Sequence, residues 1–233
     1  MKRIFGLVSL ALTGLVVAQP LFKSAMLCGD DFPVHLSYVV ELDRMWSEGE
    51  WYPRWSPNVA FGRGLPTFNF YPPLPRYVAV LVHRLGVPLR DATKAPIVLA
   101  FLLAGPAMYL FARSIFGERA GIAAGMAYAF APYLADDALQ RFASNEALAL
   151  ALAPLTLWAL GRLDTRRLDA RRIVLAALSA AALLLTHTLV ALMFAPVIAG
   201  YMLLVWWNSQ HKRTLVGSVT LAGLFAGGLA AFF

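Results

Sequence analysis

The stretch 173-IVLAALSAAALLLTHTLVALMFAPVIAGYMLLVWW-207 runs for 35 residues without an Asp, Glu, Lys or Arg. As one helix it would be roughly 52 Å long, at about 1.5 Å per residue. A bilayer's hydrocarbon core is only about 30 Å thick. The run therefore predicts two spans that turn near Thr186-His187-Thr188. Outward from it lie further apolar runs at Ile4–Phe22, Ala95–Ala112, Ala120–Ala135, Ala147–Leu163 and Leu215–Phe233. Together they predict an all-α fold: one polytopic transmembrane helical bundle over 1–233. Its spans, about seven, fall at 4–22, 95–112, 120–135, 147–163, 173–187, 189–207 and 215–233.

The composition agrees. The chain has 233 residues, 60% hydrophobic and 14% charged, with mean hydropathy +0.65. Soluble domains run at roughly 45–50% apolar and about 25% charged, so a single soluble core is excluded, as is disorder. The net charge is +7. Its basic residues lie between the apolar runs rather than in one patch, which argues against a nucleic-acid partner and for topology signals in a lipid bilayer. With the N-terminus cytoplasmic, the inner segments hold 11 basic and 3 acidic residues, and the outer segments 9 and 10. The run Leu74–Val87 contains Arg76, His83 and Arg84. If it crossed, the five arginines of 162–172 would lie outside, against the positive-inside tendency. It reads as an interfacial helix over about 74–87, within an outer loop at 23–94. The lone Cys28 reads as an ordinary thiol. The glycine pairs Gly121/Gly125 and Gly223/Gly227 fit close helix packing. The final apolar run reaches Phe233 with no polar tail, so a piece of a longer chain is expected.

Chemistry-bearing residues concentrate in the outer segments. Gly29-Asp30-Asp31-Phe32-Pro33-Val34-His35 opens the first loop, with Asp31 as a helix N-cap and Pro33 in the first turn. The helix over about 31–47 is amphipathic, with Tyr38, Val39, Leu42, Met45 and Trp46 on one face and Glu41, Asp43, Arg44 and Glu48 on the other, as expected of an interfacial helix. Asp31 and His35 share a face. The motif reads either as a cap with a nearby histidine or as a carboxylate site for a base or a divalent cation. Arg54 and Arg63 sit among Trp, Tyr and Pro, which suits either an aromatic belt or phosphate recognition. Asp136-Asp137 with Arg141, Asn145 and Glu146 forms a second acidic loop on the same side. His187 at the turn reads as a polar cap or a ligand. The histidines have no zinc spacing, and GxxxxGK[ST], GxSxG and HExxH motifs do not occur.

Gly-Asp-Asp-x-Pro-x-His at 29–35, Gly-x-Trp-Tyr-Pro-Arg-Trp at 49–55 and Phe-Tyr-Pro-Pro-Leu-Pro at 70–75 carry a resemblance. So do Pro-Tyr…Asp-x-x-x-Arg…Glu at 132–146 and Leu-Thr-His at 185–187. Taken together, the chain resembles the N-terminal half of polytopic membrane proteins of the glycosyltransferase C superfamily. The subgroup is labelled "6-pyruvoyl-tetrahydropterin synthase-related" and is similar to YfhO-like proteins. The pterin label does not suit the residues, since that synthase is a soluble zinc enzyme with a histidine trio. The resemblance implies a polyprenyl-phosphate-linked sugar donor and a glycan, lipid or protein acceptor at the outer face of a bacterial inner membrane. It implies Asp30 or Asp31 as base or metal ligand and Asp137 as the second acidic residue, with Mg or Mn as the cation at Asp31 and Asp137. Arg54, Arg141 and His187 are then candidates for the donor phosphate, with His35 and Glu146 beside them. The first motif here is Asp-Asp, where many active members carry Asp-Glu. The competing expectation is a non-catalytic member of the same fold, in lipid-linked glycan transport or assembly.

Overall fold

A computed structural model describes residues 2–23 and 29–233. Cys28 lies outside the described residues. The longer helices are α1 (Lys2–Val17), α2 (Phe32–Ser47), α3 (Leu74–Arg84), α4 (Ala95–Phe116) and α5 (Glu118–Ala129). They continue with α6 (Ser144–Gly161), α7 (Ala170–Thr186), α8 (Thr188–Asn208) and α9 (Lys212–Ala230). No β-strand occurs among the described residues, where one isolated bridge joins Ser56 and Leu65.

Helices α4 and α6 form the centre. Helix α4 packs on α1, α5 and α6, while α6 also meets α7 and α8. Residues Ala147 to Ala153 of α6, all but Leu150, are buried, and Thr156, Leu157, Ala159 and Leu160 continue the buried face. A helix apolar all round is what such a central position requires. Small residues allow the close crossings. A Cβ at Gly125 would lie 2.8 Å from the Gly105 carbonyl oxygen, so α4 and α5 touch backbone to backbone. The expected close packing holds at Gly121/Gly125. At Gly223/Gly227 a Cβ would meet nothing within 4 Å, because that face of α9 is uncovered among the described residues.

Among the described residues, three helical stretches are long and apolar enough to cross a membrane: Leu89–Phe116, Thr188–Asn208 and Lys212–Ala230. The run expected to span 120–135 is divided. Helix α5 has 12 residues, roughly 18 Å at 1.5 Å per residue, and a new turn starts at Pro132. Proline drives the preceding residue out of the helical region, and Ala131 sits at φ −57°, ψ 120°. Helix α3 has 11 residues, too short to cross.

Helix α2 departs from its expected two faces. Val39 and Leu42 are covered by protein, packing with Phe68, Ala79 and Val80. Glu41, expected on the polar face, is buried and accepts hydrogen bonds from the Asn58 backbone N–H at 3.2 Å and from Asn58 Nδ2. The segment 52–70 folds over α2 and supplies those partners, and α3 closes the other side. Arg84 of α3 reaches Asp43 at 2.9 Å.

Candidate functional site

One end of the bundle gathers the start of α2, the residues between the 3₁₀ turn Thr67–Asn69 and α3, the segment Pro132–Arg141, and the α7–α8 turn. A cavity of about 310 Å³ lies among them. Asp31, His35, Arg141, Glu146 and His187 line it, together with Tyr71, Pro72 and Asn145.

Backbone geometry brings these segments together. The Asp31 N–H donates to the Arg141 carbonyl at 3.0 Å. A Cβ at Gly29 would lie 2.7 Å from the Phe142 Cβ, so glycine permits this approach. Phe142 is fully buried, packs edge-on against Phe32 with ring centroids 4.7 Å apart, and holds the left-handed conformation at φ 61°. Such strain in a bulky residue persists only where the surroundings enforce it. Just before it, Asp137–Arg141 forms a π-helical turn, a feature frequent at functional sites.

Asp31 occupies the N-cap position of α2, with Pro33 in the first turn, but its side chain makes no capping hydrogen bond. Asp31 lines the cavity. Asp30 is exposed and does not line the cavity. Asp137 is 1% exposed and does not line the cavity. Its Oδ1 accepts from Arg141 Nη1 at 2.5 Å, and its Oδ2 is buried without a hydrogen-bond partner among the described residues. Burial, with the nearby Glu146 charge, pushes the Asp137 carboxyl up to about 7, although Arg141 opposes that rise. Arg141, half exposed, also lies 3.5 Å from Glu146, whose Oε1 accepts from Tyr133 Oη at 2.5 Å.

Both site histidines are neutral acceptors at Nδ1. His187 Nδ1 accepts from the Val190 N–H at 3.2 Å, capping α8. It therefore both caps α8 and lines the cavity. His35 Nδ1 is 3.0 Å from Arg76 Nη2, and burial, with the Arg76 charge, lowers it to about 3. An arginine only donates, so His35 carries its proton on Nε2.

Arg54 is placed elsewhere. It donates to Asn69 Oδ1 at 3.1 Å and to the Phe232 carbonyl at 2.6 Å, and it lies over the Tyr52 ring. It does not line the cavity. Asp31 lines the cavity and Asp137 does not. Asp137 is committed to Arg141, and no group of three or more His, Cys, Asp or Glu suited to a metal occurs among the described residues. Asn145, Tyr71 and Arg76, which the sequence assigns no site role, also belong to the cavity or to its surroundings. Asn145 was visible as the neighbour of Glu146. Arg76 was visible as a charge inside a short apolar helix, where it counted only against crossing.

No curated protein matches the chain significantly. Residues 71–230 match the family described as dolichyl-phosphate-mannose-protein mannosyltransferase. That match covers more than half of the sequence and includes α3, Asp137, Arg141, Glu146 and His187. The chain belongs to the dolichyl-phosphate-mannose-protein mannosyltransferase family, within the glycosyltransferase C superfamily.

Proposed function

We propose that this chain is a membrane glycosyltransferase acting on a polyprenyl-phosphate-linked sugar. The acceptor is a hydroxyl of a glycan, lipid or protein. The reaction takes place at the extracytoplasmic face of a bacterial inner membrane, in cell-envelope glycan or glycolipid assembly. The observation that carries this reading is that Asp31, which makes no capping hydrogen bond, lines one cavity together with Arg141, in a chain of this family.

In this reading Asp31, rather than Asp30, is the base. The acceptor oxygen attacks the anomeric carbon and gives its proton to the Asp31 carboxylate. The bond from that carbon to the phosphate oxygen breaks, and its electron pair leaves with the polyprenyl phosphate. Arg141 and the Nε2–H of His187 face the phosphate as charge develops there. Asp137 holds Arg141 in place and does not touch the reacting atoms. The wider reading keeps about seven spans, the YfhO-like subgroup and a cytoplasmic N-terminus. Its support is the 11-to-3 excess of basic over acidic residues on the inner side.

The test is sugar transfer by the full-length protein in liposomes supplied with polyprenyl-phosphate sugars. Asp31→Asn is expected to lower transfer about 10²–10⁴-fold while donor binding persists, and Asp30→Asn is expected to leave it near wild type. Undiminished transfer by Asp31→Asn would remove the base. Donor binding without any transfer by the wild type would assign the non-catalytic alternative. Chelation followed by Mg²⁺ or Mn²⁺ tests the cation: transfer that survives chelation leaves Asp31 acting alone.

A further inference from the structure

Arg76 is the most buried cation among the described residues, at 1% exposure. Its guanidinium donates to the Asn145 Oδ1 at 2.7 Å, to the Pro72 carbonyl at 3.0 Å and to the His35 Nδ1 at 3.0 Å. It lies 5.7 Å and 5.4 Å from the ring centres of Tyr38 and Tyr71. None of these partners is a carboxylate, and no ion pair involves Arg76 among the described residues. Its Nε has no partner there. Burial lowers its pKa to about 10, which leaves it charged at neutral pH.

Buried charges are ordinarily paired. Arg141, the other cation at the cavity, is already committed to Asp137 and Glu146. Arg76 is not, and four of the residues it holds or faces, His35, Tyr71, Pro72 and Asn145, are cavity wall. Asn145 passes the arrangement on by donating to the Thr186 carbonyl at 2.8 Å, beside His187. One uncompensated charge thus sits directly behind the wall and orients that wall from α3.

We propose that Arg76 is a positioning residue of this cavity: it sets His35 and Asn145 from behind and supplies the positive charge that a phosphate group in the cavity completes. This deepens the donor-site reading and rests on it only for the identity of the phosphate carrier. Arg76 acts through the wall. It favours a phosphorylated ligand over the corresponding alcohol without touching the transferred sugar.

The test compares binding of a polyprenyl phosphate and of the same polyprenol to the full-length protein in nanodiscs. Arg76→Gln is expected to weaken the phosphate at least tenfold and the alcohol less than threefold, with Arg76→Lys recovering most of the difference. Arg76→Met is the second variant, because a buried charge replaced by an apolar side chain of similar size often keeps its fold. It is expected to show the same loss of discrimination. Equal weakening of phosphate and alcohol in both variants would reduce Arg76 to a packing residue, and unchanged phosphate binding would remove it altogether. Competition by millimolar inorganic phosphate supports the site and assigns it to a soluble phosphate. Failure of that competition, with the tenfold loss intact, assigns it to a lipid phosphate. If phosphate binding depends on Arg76 but no transfer occurs, the transferase reading fails and this inference stands. If transfer proceeds with wild-type KM in Arg76→Gln, the reverse holds.

Discussion

Residues 51–66 and 132–146 look alike as sequence. Each mixes proline, aromatic side chains and arginine. The structure separates them. In 132–146, Asp137 and Phe142 are buried, Arg141 is held at 2.5 Å from Asp137, and the segment forms one wall of the cavity. In 51–66, Trp51, Arg54, Trp55 and Phe61 are exposed, and no residue lines that cavity. The difference teaches that an arginine among aromatics becomes a candidate for chemistry when its partners are buried and converge. Glu41, the buried carboxylate beside 51–66, is used to hold Asn58 and so closes a loop over α2.

The sharpest way to break the comparison is to delete one aromatic ring from each region. Phe142→Ala removes a fully buried ring against Phe32 and should cost about 3–5 kcal/mol, read by denaturant unfolding of the full-length protein in detergent. Phe61→Ala removes a fully exposed ring and should change stability by less than about 0.5 kcal/mol. Equal losses would erase the distinction.

A second contrast is in pH. The Asp137 carboxyl is raised from its ordinary value to about 7. Its folded pKa lies above its unfolded one, so the folded state binds the extra proton between about pH 4 and 7, and stability falls as pH rises through that window. His35 works in the opposite direction. Lowered to about 3, it loses stability as pH falls from about 6.5 towards 3. Between about pH 4 and 6.5 the two partly cancel. Asp137→Asn should remove the falling limb, about 2–4 kcal/mol in size, and leave stability rising from pH 3 to 6.5. A variant whose stability still declines towards pH 7 would place the titration on another group.

Third in size is function. Arg141→Gln should reduce transfer about 10–100-fold, which is about 1.4–2.7 kcal/mol of barrier, in the liposome assay. Smallest of all is Arg54→Gln. It loses contacts to Asn69 and to the Phe232 carbonyl at the surface and should leave transfer within about threefold and stability within about 0.5 kcal/mol. If Arg54→Gln matched Arg141→Gln, the cavity would not be where the phosphate binds.

The helical, membrane character was legible in the 35-residue run alone, because no soluble fold needs such a length without a charge. The boundaries were less legible. The hydropathy of 120–135 is continuous, but Pro132 removes a backbone donor and repels Ala131 from helical geometry, so α5 stops at Ala129. That Asp31 stands at a helix start followed from its place before Pro33, and the four-residue spacing of Asp137 and Arg141 permits the pairing that the structure shows. That Asp30 is left outside the cavity while Asp31 lines it was not legible, since adjacent residues look equivalent until a second chain segment covers one of them.

Two helices state the division most simply. Both α6 and α8 read as apolar, and α8 is the more hydrophobic stretch. Yet α6 is buried through most of its length, while α8 buries only Val190 and Ala191 among its residues. Composition and periodicity determine that a segment is helical and shuns water, because those are properties of its own backbone and side chains. What covers it is decided by long-range packing. The same holds for Arg76: the sequence shows a charge in a short helix, and only the folded chain surrounds it with His35, Asn145 and two tyrosines, with no carboxylate partner among the described residues. A buried charge takes its meaning from neighbours up to 69 residues away in the chain, and no local pattern contains them.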